Sequence, residues 1–103
     1  MASLIVLYTK PDDVEGFESY YRETHAPIAG KLPGIREVNV SRILGTPRGT
    51  PAPYYVKAEL VFDSMDDMSA ALQGEEGMNT SRDAMEMCKR FGADAEIMLA
   101  DDF

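Results

Sequence analysis

Two amphipathic helical stretches, each enclosed by stretches of strand periodicity, constrain this chain more than any other feature. Leu4-Ile5-Val6-Leu7-Tyr8 is β-branched and aromatic and predicts a strand buried on both faces. Asp12 or Asp13 then caps a helix in which Val14, Phe17, Tyr21, Thr24 or His25, and Ile28 form one apolar stripe. Pro27 is expected to push Ala26 out of helical geometry, so that the helix breaks or restarts there, and Gly34 marks a turn. Residues 35–44 alternate, with Val38 and Val40 on one face and Glu37, Asn39 and Ser41 on the other. After the Gly- and Pro-rich loop 45–53, residues 54–62 alternate again, with Tyr54, Val56, Ala58, Leu60 and Phe62 on one side. Ser64 with Asp67 starts a second helical region carrying Met65, Met68 and Leu72. The run 74–77 interrupts it, Thr80 with Asp83 repeats the cap signal, and Ala84, Met87, Cys88 and Phe91 continue to a C-capping Gly92. Residues 96–100 form the last strand. The order β-α-β-β-α-β predicts an α+β, ferredoxin-like fold, a four-stranded antiparallel sheet with its helices on one face.

At 103 residues the chain is expected to be a single domain spanning 1–103, with little core to spare. A net charge of −8 repels phosphate backbones and anionic lipids, and the ten basic residues form no patch, which argues against nucleic acid and membrane-surface partners. One cysteine, Cys88, permits no internal disulfide. The apolar run near the N-terminus is too short for a signal segment, and no run approaches a membrane span, so a cytoplasmic location is expected.

The side of the sheet away from the helices would carry Glu37, Asn39, Ser41, Tyr55, Lys57, Glu59, Glu96 and Met98, with either Ile5 and Leu7 or Leu4, Val6 and Tyr8 from the first strand. Antiparallel sheets tolerate such a half-solvated face. The sharper reading pairs two of these faces in a homodimer that encloses a partly apolar pocket for a small molecule.

His25 is the only histidine. Histidine is the side chain suited to taking and giving protons near neutrality, so His25 is the first candidate for catalysis. The structural alternative is a helix C-terminal histidine interacting with the dipole. No carboxylate is paired with it in sequence, and no serine lies in a nucleophile-elbow context. One histidine and one cysteine make no zinc cluster, and neither a metal site nor a cofactor signature is expected. The seven methionines, five of them between Met65 and Met87, fall at helical spacing and predict core packing, as does Cys88.

The segment Phe17-Glu18-Ser19-Tyr20-Tyr21-Arg22-Glu23-Thr24-His25-Ala26-Pro27, followed by Gly34 ahead of a strand, resembles the EthD-like family, named for ethyl tert-butyl ether degradation, of the dimeric α/β barrel superfamily. The resemblance implies a homodimer whose two sheets close one barrel around cavities for small organic molecules. Tyr21 stands where that family often has tryptophan, and keeps an aromatic wall. Only His25 carries over to a functional position; Pro27 and Gly34 carry over to structural ones. The expectation is a homodimer binding a small apolar organic ligand, with His25 shuttling a proton in a dehydration, isomerisation or cyclisation. Tyr8, Tyr21, Asn39 and Tyr55 are the expected ligand contacts. The alternative is a non-catalytic carrier or accessory protein for an oxidative degradation system.

Overall fold

The computed structural model describes all residues, Met1–Phe103, and pairs the strands as the alternation requires. Strands β1 (Ala2–Tyr8), β2 (Ile35–Arg42), β3 (Val56–Phe62) and β4 (Ala95–Asp101) form one antiparallel sheet in the order β2-β3-β1-β4. This is the ferredoxin-like arrangement, with a single helical layer and one open sheet face. Its overall extent of 38 × 32 × 17 Å is that of a two-layer slab.

Register decides which side each residue serves. Leu4 lies opposite Leu60 and Leu99, and Val6 opposite Ala58 and Ile97. Side chains directly opposite in antiparallel strands share a face. The covered side therefore takes Leu4, Val6 and Tyr8 from β1, and the open side takes Ile5 and Leu7. Val6, Tyr8, Val56, Ala58, Leu60 and Phe62 are buried beneath the helices. The helical layer does not reach the sheet edges. Val40 on β2, and Ile97 and Leu99 on β4, are exposed although their faces point the same way. Tyr54, expected on β3, precedes it and donates its hydroxyl to Glu96.

Helix α1 (Val14–Tyr20) starts where Asp13 accepts the Gly16 N–H at 3.0 Å. Ala26 stays right-handed helical at φ −60°, ψ −43°, rather than leaving helical geometry as expected, although an α-helical segment does restart there. The chain instead passes through a π turn, Tyr21–His25, into α2 (Ala26–Ala29), and the Ala26 N–H donates to the Tyr21 carbonyl five residues back. Pro27 is the physical reason. In an α-helix its ring would clash with the carbonyl four residues earlier, at Glu23, and the wider π turn relieves that clash. One consequence is a spacing of four: Phe17, Tyr21, His25 and Ala29 are all buried.

Ser64 caps α3 (Met65–Gln73) by accepting the Asp67 N–H at 3.1 Å. Gly74 joins it to α4 (Glu75–Phe91), which ends at Gly92 in the left-handed region, φ 74°. The second cap signal is not a cap. Thr80 lies inside α4 and donates to the Glu76 carbonyl, which leaves Asp83 free to act elsewhere. Met68 and Met87 are core residues, but Met78 and Met85 are exposed, so the methionine stripe is only partly core.

Candidate functional site

His25 is 4% exposed, and its neighbours explain how a polar ring is held there. Its Nδ1 lies 2.8 Å from Asp83 Oδ2, across from α4. The Tyr20 hydroxyl donates to the other carboxylate oxygen of Asp83 at 2.5 Å. Two donors thus converge on one acceptor group, a pairing that assigns a proton to His25 Nδ1. Arg90 sits over the Tyr20 ring, 5.8 Å from its centroid, and covers this cluster from outside. The π turn sets the other side of the imidazole: Tyr21 and His25 pack on successive turns with ring centroids 5.2 Å apart and planes tilted by 57°.

His25 lines a cavity of about 590 Å³ between the sheet and α4. Leu4, Val6, Ala58, Leu60, Leu72 and Ala84 supply apolar wall, and Met85, Lys89, Asp94 and Ile97 lie around its outer part. Tyr8 and Tyr21 line it together with His25. The three aromatic rings Tyr8, Phe17 and Tyr21 pack with centroids 5.3–6.0 Å apart and fix the phenols in place. Neither phenol hydroxyl, nor Nε2, is hydrogen-bonded to the protein, and none of the three is fully sealed from solvent. Tyr8 and His25 line this cavity, and Tyr21 lines both it and a shallower cleft beside Glu18 and Arg42. No group of three metal-ligating side chains comes together anywhere in the chain.

The cavity lies on the helix-covered side of the sheet, not against the open face where the sequence placed the pocket. That separates the expected contacts. Tyr8, Tyr21 and His25 meet in one cavity. Asn39 does not join them: it is exposed on the open face of β2 and bonds Glu37. Tyr55 does not join them either. It precedes β3, where strict alternation stops, and donates to Glu18 at 2.6 Å beside Arg42. Tyr55 and Arg42 together hold the Glu18 carboxyl below the usual carboxylate range. The sequence missed Asp83 and Tyr20. Asp83 is 58 residues from His25, and its own signal was absorbed by the false cap at Thr80. Cys88 is half-buried at the cavity wall rather than sealed in the core, and desolvation raises its thiol pKa.

Burial pushes the Tyr21 phenol up to about 12 and raises Tyr8 as well, with Tyr21 adding to the shift. Both are donors throughout the physiological range. The fold favours their neutral forms. Their contribution to stability is therefore complete below the ordinary tyrosine value of 10.0; that of Tyr21 is lost as pH rises through about 12, and that of Tyr8 only at still higher pH. In an alkaline titration followed at the phenolate absorbance, Tyr8 and Tyr21 are expected to ionise only together with loss of the far-ultraviolet circular dichroism. Ionisation of all five tyrosines before any loss of ellipticity would contradict their burial.

A ferredoxin-like sheet, a helix carrying a π turn, and a histidine set on an apolar cavity place the chain among small α+β proteins with one helical layer on a four-stranded sheet. The EthD domain matches residues 11–90, and the chain belongs to the EthD family. It is similar over its whole length to an EthD-family protein from Bacillus halodurans, with 32% identity, a TM-score of 0.88 and 99% of that chain covered. Two more distant structures share the fold. One is a dimeric protein of ferredoxin-like fold from Bacteroides fragilis, at 16% identity and TM-score 0.64, covering 98% of this chain and 95% of the other. The second is SnoaB, a cofactor-independent oxygenase from Streptomyces nogalater, at 16% identity and TM-score 0.66, covering 99% and 92%. No curated protein matches the chain. No helix is long and apolar enough to cross a membrane.

Proposed function

We propose that this protein binds a small, largely apolar organic molecule in the cavity between its sheet and helices and catalyses a proton transfer on it, with His25 as the shuttle. One observation carries the reading: a buried His25 that lines an apolar cavity, with Nδ1 held by Asp83 and Nε2 free of any protein partner. A carrier has no use for an oriented base, so the arrangement favours the enzyme over the accessory protein. Asp83 keeps the lone pair on Nε2 and stabilises the imidazolium that forms when Nε2 takes a proton. The same nitrogen then returns that proton, to carbon in an isomerisation or to a departing hydroxyl in a dehydration. Neither outcome needs an oxidant. Tyr8 and Tyr21 orient the ligand. Native mass spectrometry of the purified protein, followed by transfer of the complex into D2O, tests the reading. A co-purified compound that gains deuterium supports it. A bound compound that gains none in the wild-type protein returns the assignment to a carrier.

The homodimer belongs to the same proposal. Ile5, Leu7 and Val61 are half-buried and Met98 is 43% exposed on the open sheet face, too apolar a surface to stand alone on a chain of this size. The dimeric relative from Bacteroides fragilis supports this reading. Val61→Glu is expected to raise the dimer dissociation constant at least tenfold in sedimentation, while Ser69→Glu on the exposed side of α3 leaves it unchanged. Equal effects from the two variants would remove the sheet face from the interface.

A further inference from the structure

We infer that the Tyr8 and Tyr21 hydroxyls form a two-donor site for a developing enolate oxygen, and that the substrate is an apolar compound bearing an enolisable carbonyl. The inference rests on the proton-shuttle reading above and extends it to a substrate class.

The argument begins with how few polar atoms the inner cavity holds. Thr80 spends its hydroxyl on the Glu76 carbonyl, and Ser81, Lys89 and Asp94 are exposed residues. Three buried polar side chains remain with an atom free of protein partners: Tyr8 at 1% exposure, Tyr21 at 7% and His25 at 4%. Two of these are O–H donors and the third is a base. A buried donor left without a partner costs free energy, so a site that keeps two of them invites an acceptor from outside the chain. The ring of Tyr21 packs against both of the others, 5.9 Å from Tyr8 and 5.2 Å from His25 by centroid, so the three side chains line one region of the cavity. A ligand whose oxygen is held by the phenols has its neighbouring carbon in the part of the cavity that His25 also lines.

The chemistry balances without a further reactant. The α C–H bond breaks and its proton passes to His25 Nε2. The bonding pair forms the C=C bond, and the carbonyl π pair moves onto oxygen, where the two phenols receive it. Reversal returns a proton from the imidazolium to carbon. The aromatic packing keeps the donors from reorganising as the charge develops, and the apolar wall strengthens each hydrogen bond.

The test uses 2-tetralone, a bicyclic ketone, and 2-naphthol, which has the planar shape of its enol. In D2O the wild-type protein is expected to accelerate α-deuteration of 2-tetralone, read by proton NMR. Tyr8→Phe and Tyr21→Phe each remove a hydroxyl with no protein partner and so preserve the fold. Each is expected to slow exchange by about 10²–10³-fold. Each also weakens 2-naphthol binding while leaving naphthalene binding as it was. Exchange that depends on His25 but is untouched in both phenylalanine variants overturns the donor pair and leaves the proton shuttle standing. Absence of exchange in the wild-type protein overturns both.

Discussion

Replacing His25 with glutamine is expected to slow proton transfer by roughly 10²–10⁴-fold, the usual contribution of a general acid–base group, while the protein remains folded. Glutamine keeps a polar group near Asp83 but offers no lone pair of comparable basicity at the position of Nε2. The Asp83 carboxylate, 11% exposed, keeps Tyr20 as a donor, so a stability loss of only about 1–3 kcal/mol is expected. Asp83→Asn provides the matching test. An amide can present its N–H₂ to Nδ1, which drives the ring proton to Nε2 and removes the base without emptying the site. Both variants should therefore lose deuterium transfer into the bound compound, and Asp83→Asn should also move the imidazole proton between ring nitrogens in ¹⁵N-resolved NMR. Exchange within threefold of wild type in His25→Gln would reduce His25 to a structural residue. A large fall in activity accompanied by loss of ligand binding would point to a collapsed cavity instead, and the native mass spectrum separates the two.

Gly77→Ala is expected to be the most damaging small substitution in the chain. Gly77 is buried in the first turns of α4, where that helix doubles back against the end of α3. A methyl group there would sit 2.3 Å from the Leu72 carbonyl oxygen and 2.5 Å from that of Ala71. Both obstacles are backbone atoms, which no rotamer change can move. Relief requires α3 and α4 to separate, and with them the Leu72 and Ala84 walls of the cavity. The expected cost is about 3 kcal/mol, at the upper end for overpacking, or a fall in Tm on the order of 10–20 °C for a chain of this size. Gly49→Ala makes the comparison informative. Gly49 needs a left-handed backbone, φ 79°, which Gly77 does not, but it has open space around it and lies in the exposed 45–53 loop. It should cost only about 1 kcal/mol. If Gly77→Ala melted no lower than Gly49→Ala, the close approach of the two helices would be wrong.

The local rules of the chain were legible because they act over a few residues. Alternation at Val56, Ala58, Leu60 and Phe62 predicts a half-buried strand, and all four are buried. The Ser64–Asp67 pair and Gly92 mark helix ends by chemistry that needs no tertiary context, and both act as caps. The family resemblance in the His25 segment was legible for the same reason: it is one continuous run of residues.

Whatever depends on two distant segments meeting was not legible. Asp83 and His25 come together only because α4 packs across the π turn, and Thr80–Asp83 reads as a helix start until α4 is seen to begin at Glu75. Pro27 announces a disturbance of the helix, but only packing decides between a break and a wider turn that keeps Tyr21 and His25 on one face. Asn39 and Tyr55 have ligand-binding chemistry. Strand register sends the first to the open face, and Glu18 draws the second away from the cavity. Periodicity, capping and the single histidine are properties of the chain, set by local sterics and side-chain chemistry. The partner of that histidine, the side of the sheet it serves and the phenols beside it are long-range choices, made where packing of the sheet against α4 leaves a cavity.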